Sequence, residues 1–160
     1  MEASDPAARA DLVELELPAR PEVVAVARLV VGAVVAVEPL FDDERGADLR
    51  LAVSEACTNA IQAQLAAGSG ADPTAPIVLR CSVGGGRIQL AVQDHGGGFD
   101  PSGLAEHPHV TDPARLEHEG GLGIPLIRLL ADELEFLPSP GGTTVVMTFG
   151  PRSEPDRSLV

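Results

Sequence analysis

Hydrophobic period is the feature that most restricts what this chain can fold into, because it switches between two and helical spacing in a definite order. Val13, Leu15 and Leu17 alternate with Glu14 and Glu16, the pattern of a half-buried strand. Pro21 then opens a segment in which Val23, Val26, Val30 and Val34 recur at helical spacing. Its length exceeds a normal strand despite the β-branched content. Asp42-Asp43-Glu44 supplies an acidic first turn for a second helix running to about Ala67, where Gly68-Ser69-Gly70 and the prolines at 73 and 76 end it. Ile77, Leu79, Cys81 and Val83, a Gly84-Gly85-Gly86 turn, and Ile88, Leu90 and Val92 read as a β-hairpin. From Gly96 to Gly121 there is no period, and so long a loop in a small domain reads as a lid. Residues 123–132 return to an apolar helix with Pro125 in its first turn. A closing hairpin runs from Glu133 to Leu137, through Pro138-Ser139-Pro140-Gly141-Gly142, to Val145, Met147 and Phe149.

The resulting order, β-α-α-β-β-lid-α-β-β, predicts an α+β two-layer sandwich: a mixed, mainly antiparallel sheet with helices on one face. One domain over residues 11–149 is expected, between loose tails at 1–10 and 150–160.

Composition removes several classes of function. The formal net charge is −13 and every one of the 11 basic residues is Arg, so no basic face is large enough to neutralise a run of phosphates on nucleic acid or anionic lipid. With 4 Phe and no Trp or Tyr, base-stacking platforms are not expected. A nucleotide is still admissible, since backbone amides and a divalent cation can carry its phosphates. Cys57 and Cys81 make neither a disulfide framework nor a metal cluster and read as small buried apolar residues. The start of the chain lacks a signal-like segment and no stretch is apolar enough to span a bilayer, so a cytoplasmic protein is expected.

Three places could carry chemistry. Glu55 and Asn59 lie four residues apart and so share a face of the second helix. Asp94 ends a strand and is followed by Gly96 and Gly98, which permit close backbone approach to a ligand. Gly120-Gly121-Leu122-Gly123 directly precedes a helix, where unpaired N–H groups and the dipole favour phosphate. It is neither a dinucleotide fingerprint nor a Walker loop. Singly, each has an ordinary structural explanation: a polar helix stripe, a hairpin exit, a helix start. His107, His109 and His118 match no zinc spacing and read as solvated lid residues.

In order along the chain, Leu51-Ala52-Val53-Ser54-Glu55-Ala56-Cys57-Thr58-Asn59-Ala60, Asp94-x-Gly96-x-Gly98-Phe99-Asp100, Gly121-Leu122-Gly123-Ile124 and Gly142-Thr143-Thr144-Val145 resemble the N, G1, G2 and G3 boxes of the GHKL ATPase superfamily. The short length and the Ser-Glu-Ala-Cys-Thr-Asn-Ala wording are similar to its anti-sigma-factor serine/threonine kinases. The resemblance implies a histidine kinase-like ATPase fold and the cofactors ATP and Mg2+. It implies that Asp94 accepts from the adenine amino group with Thr144 beside it. It further implies that Asn59 binds the metal, that Gly121, Leu122 and Gly123 offer amides to the phosphates, and that Glu55 is the general base for a protein hydroxyl. Partners are then a sigma factor and an anti-anti-sigma protein, and the chain is expected to be a homodimer. Two positions depart from the family pattern: Ala63 and Gly120 stand where relatives commonly carry basic residues. A regulatory module that binds nucleotide without turnover, or binds none, is the alternative.

Overall fold

The structure is a computed structural model and describes residues 10–67, 72, 74–96 and 123–153. The lid after Gly96, with Gly98 and Gly121 in it, and also Leu122 and most of both tails lie outside the described residues. Element order is β1 (Ala10–Leu17), α1 (Val23–Ala36), α2 (Asp43–Ala66), β2 (Ile77–Gly84), β3 (Arg87–Gln93), α3 (Gly123–Leu130), β4 (Glu133–Ser139) and β5 (Gly142–Phe149).

Local chemistry accounts for these boundaries. The Asp42 side chain caps α2 by accepting from the Arg45 N–H at 2.7 Å, and Asp43 and Glu44 follow in its first turn. Between β2 and β3, Gly85 and Gly86 take φ of 59° and 73°, the left-handed pair that a tight two-residue hairpin requires. In α1 the β-branched residues are unfavourable by propensity, yet Val23, Ala27, Val31, Val34 and Val35 form one buried stripe. Packing on α2 decides the helix.

The five strands lie in the order β1-β2-β3-β5-β4, and every neighbouring pair is antiparallel. Among the described residues every pairing is antiparallel, in keeping with the mainly antiparallel sheet expected. The chain crosses from β3 through α3 to the sheet edge as β4, and β5 then turns back to fill the gap beside β3. Helices cover one face, with α2 between α1 and α3. Ile77, Leu79, Cys81, Ile88, Leu90, Val92, Met147 and Phe149 meet the helical residues Leu49, Val53, Cys57 and Ile61 in the core. Burial pushes the Cys57 thiol up to about 12, with Cys81 adding to it, and burial pushes Cys81 up to about 11, so both are inert core residues. Among the described residues no helix is long and apolar enough to cross a membrane.

The ordered domain extends beyond residue 149. Gly150 is buried; its N–H donates to Asp132 at 2.6 Å and its carbonyl accepts from Arg45 Nε at 2.8 Å. Arg152 reaches Glu44 and Asp48, each at 2.8 Å. These residues were expected in the tail because they have no hydrophobic period, and polar contacts hold them instead.

Candidate nucleotide site

Helix α2 is the rail on which the site is built. Ala52, Val53, Ala56, Cys57, Ala60 and Ile61 are buried in the core, which leaves Glu55 and Asn59, one turn apart, half-buried along the helix edge. The start of α3 sits directly on this edge. A Cβ placed on Gly123 would lie 2.8 Å from Asn59 Nδ2, 3.0 Å from Asn59 Oδ1 and 3.2 Å from Glu55 Oε2. Only glycine lets the first turn of α3, with its unpaired N–H groups, come this close to an amide and a carboxylate. Glu55, Asn59 and Gly123 are thus brought together as expected.

A second group forms where β3 meets β5. Asp94 is buried, at 7% exposure, just past the last residue of β3. Its backbone N–H donates to the Thr143 carbonyl at 2.9 Å, and its Oδ1 accepts from the Gly96 N–H at 2.9 Å. The second carboxylate oxygen, Oδ2, is not used by the Gly96 N–H. Burial raises the Asp94 pKa above the usual carboxylate range, partly offset by backbone hydrogen bonds at Gly96 and Thr143 and by the His95 charge. The close fit is enforced by Gly142, on which a Cβ would fall 1.9 Å from the Asp94 carbonyl oxygen.

The β3–β5 register corrects one expectation. Thr144 pairs with Gln93, so it is Thr143 that stands opposite Asp94. Alternation places Thr143 on the helix-covered face with Val145, Met147 and Phe149, whereas Thr144 lies on the other face with Val146 and Thr148. Thr143 is 3% exposed, and its Oγ1 is the one buried side-chain polar atom among the described residues without a hydrogen-bond partner. Such an orphan is rare in a native fold and fits a group that a ligand completes. The structure thus sets Thr143 opposite Asp94, one residue before the Thr144 expected beside it.

The two groups are joined through α2. A Cβ on Gly96 would lie 2.6 Å from the Ala63 carbonyl oxygen, so the turn after Asp94 rests on the helix backbone one turn beyond Asn59. From Glu55 to Ala63 the helix axis advances about 12 Å. One end of this edge is suited to anionic phosphates and metal, and the other offers a buried carboxylate and hydroxyl suited to a hydrogen-bonding base.

A family profile described as the histidine kinase-like ATPase domain matches residues 17–149. The chain is 38% identical over 144 residues to the serine-protein kinase RsbW of Bacillus pumilus, covering 86% of this chain and 85% of that protein. It is 35% identical over 145 residues to serine-protein kinase RsbW of Bacillus subtilis, covering 87% and 85%. Among solved structures, the RsbU and RsbW domains of Rv1364c from Mycobacterium tuberculosis superpose with a TM-score of 0.62 at 21% identity. That match covers 92% of this chain and 34% of the other, so this chain spans about a third of that structure's length. With the fold, the ordered boxes and the matched length in agreement, the chain belongs to the histidine kinase-like ATPase domain family.

Proposed function

We propose that this chain is an ATP- and Mg2+-dependent serine/threonine-protein kinase of the anti-sigma type. It phosphorylates an anti-anti-sigma protein, sequesters a sigma factor, and works in the cytoplasm as a homodimer. The observation that supports the catalytic part is the seating of Gly123 against both Asn59 and Glu55, which brings an amide, a carboxylate and the first turn of α3 to one point. The names of the relatives support the choice of a serine-protein kinase.

The residues present fit the nucleotide and its metal. The Asn59 amide oxygen and the nearby carboxylate are hard oxygen donors, the kind Mg2+ takes while keeping waters and phosphates as its other ligands. The unpartnered Thr143 hydroxyl and the Asp94 carboxylate together offer a donor and acceptors to a purine edge. When bound, ATP with Mg2+ supplies the transferable phosphoryl group and neutralises its charge. Asp94 accepts from the amino group of the base, and Thr143 completes that edge. The amides at the start of α3 orient the phosphates. With ATP bound, Glu55 would accept the proton of the attacking serine or threonine hydroxyl as its oxygen bonds to the γ-phosphorus and the bond from that phosphorus to the β-phosphate oxygen breaks, releasing ADP.

Transfer of label from γ-labelled ATP to a purified anti-anti-sigma protein tests the proposal. The native chain is expected to transfer in the presence of Mg2+, and Asn59→Ala is expected to lose both transfer and the Mg2+-dependent part of nucleotide binding. Binding of ATP without transfer to any such partner refutes the kinase and leaves a regulatory binding module.

Asp94→Asn separates recognition from stability. It keeps an oxygen for the Gly96 N–H but presents no second acceptor to the base, so ATP affinity is expected to fall roughly tenfold to a hundredfold. Stability of the unliganded chain moves the other way. A carboxylate with a raised folded-state pKa holds its proton more tightly when folded, so its contribution falls as pH rises from the unfolded value through the folded one. At neutral pH its charged burial is a cost, and Asp94→Asn is expected to raise the melting temperature while losing the nucleotide. Calorimetric titration and thermal melting in the same buffer check both signs.

A further inference from the structure

Gln64 is a glutamine on the core-facing side of α2, 3% exposed, at a position whose neighbours in the buried stripe are Ala60, Ile61 and Cys57. Burying an amide here is unfavourable unless both of its ends are satisfied. Both are, and by different segments. Oε1 accepts from the backbone N–H of His95 at 3.2 Å, and Nε2 donates to the carbonyl of Ala75. His95 returns the connection: its Nδ1 lies 2.8 Å from the Pro76 carbonyl, which can only accept, so Nδ1 carries the proton. One amide therefore pins α2, the strap leading into β2, and the residue immediately after Asp94.

That residue matters because Asp94 spends Oδ1 on Gly96, and the direction of its other oxygen follows from the conformation of the 94–96 turn. Gly96 is pressed against the Ala63 carbonyl from one side, a contact that fixes distance but not rotation. The hydrogen bond from His95 to Gln64 removes the remaining freedom.

We propose that Gln64 is a positioning residue that aims Asp94 Oδ2, the oxygen not held by Gly96, and thereby sets how strongly this chain discriminates the exocyclic amino group of adenine. The inference rests on the nucleotide site proposed above. Gln64 touches neither base nor phosphates and acts through the His95 N–H.

The test compares binding of ATP with binding of the triphosphate of unsubstituted purine riboside, which lacks the amino group. For the native chain a preference of about tenfold for ATP is expected, the size of one hydrogen bond to a charged, buried acceptor. In Gln64→Met, which keeps length and apolar fit but no acceptor, the preference is expected to collapse to about twofold or less, with ATP weakened and the amino-free analogue nearly unchanged. Gln64→Glu, which still accepts from His95 but cannot donate to Ala75, is expected to retain more of the preference than Gln64→Met. Exposed Gln62, changed to Met, is the control and is expected to leave it intact. Full preference in a folded Gln64→Met chain, or equal loss in both Gln64 variants, overturns the role assigned to Gln64 while leaving the site standing. A native chain that binds ATP and the analogue equally overturns the site and this inference together. Amide exchange on the native chain gives an independent check that does not depend on any variant folding: a His95 N–H exchanging as fast as an open loop overturns the proposal, and strong protection supports it.

Discussion

Phosphoryl transfer by Glu55→Ala is expected to fall by about 10^2–10^4-fold, the range that a positioned general base contributes, with ATP still bound. The dissociation is specific to where Glu55 lies. Its carboxylate stands beside Gly123, about 12 Å of helix axis from the Ala63 backbone on which the turn after Asp94 rests. Removing it takes away a proton acceptor without touching Asp94 or Thr143. Glu55→Gln is expected to lose nearly as much, because the amide keeps the shape but not the basicity. Single-turnover transfer to the partner protein, measured beside calorimetric ATP binding, checks the pair of outcomes. Undiminished transfer in either variant removes Glu55 from the chemistry, and loss of ATP binding in step with transfer makes it a binding residue.

The other large effect is on stability, and it lies at the opposite end of the same helix. Arg45 is 5% exposed and is fully engaged: Nε to the Gly150 carbonyl at 2.8 Å, Nη1 to the Leu130 carbonyl at 2.8 Å and to Asp48 at 3.2 Å, and Nη2 to Asp132 at 2.8 Å. Its guanidinium carbon also sits 5.2 Å from the centre of the Phe149 ring. One planar group thus ties the start of α2 to the end of α3 and to the last residues of β5. Arg45→Ala leaves Asp132 Oδ1 and two carbonyls without their donor, and is expected to cost about 3–5 kcal/mol. For a domain of this size that corresponds to a drop in melting temperature of about 10–15 °C. Arg45→Lys is expected to recover only part, since a single ammonium cannot serve acceptors spread around a fork. Because Arg45 is about 21 Å along the helix from Asn59, nucleotide affinity measured well below the melting point is expected to be unaffected. A melting temperature within about 2 °C of the native chain in Arg45→Ala would show that these contacts contribute no net stability.

Much of the site was legible before any coordinates. The i, i+4 spacing of Glu55 and Asn59 needs only helix geometry, and a glycine directly ahead of an apolar helix marks an anion-binding start without reference to the rest of the chain. Asp94 was legible from its place between a period-two run and a glycine cluster. That Thr143 and not Thr144 stands opposite Asp94 was not legible, because local wording cannot set the register between β3 and β5; that follows from cross-strand hydrogen bonding, with Gln93 opposite Thr144. Gln64 and Arg45 were not found at all. Each is a polar residue on a helix with partners 11 to 105 positions away, and no periodic signal reports such long-range contacts.

The linear order of residues by itself determined the elements, the α+β class and the identity of the boxes, because these depend on period, turn chemistry and spacing within single elements. Tertiary structure alone decided that all strands pair antiparallel, that Gly123 closes on Asn59 and Glu55, that Thr143 faces Asp94, and that residues 150–152 belong to the folded body. The division has a physical cause. Local free energies are set by neighbours within about one helical turn or one hairpin, whereas a nucleotide pocket is an arrangement of three elements that meet only after the chain has collapsed around α2.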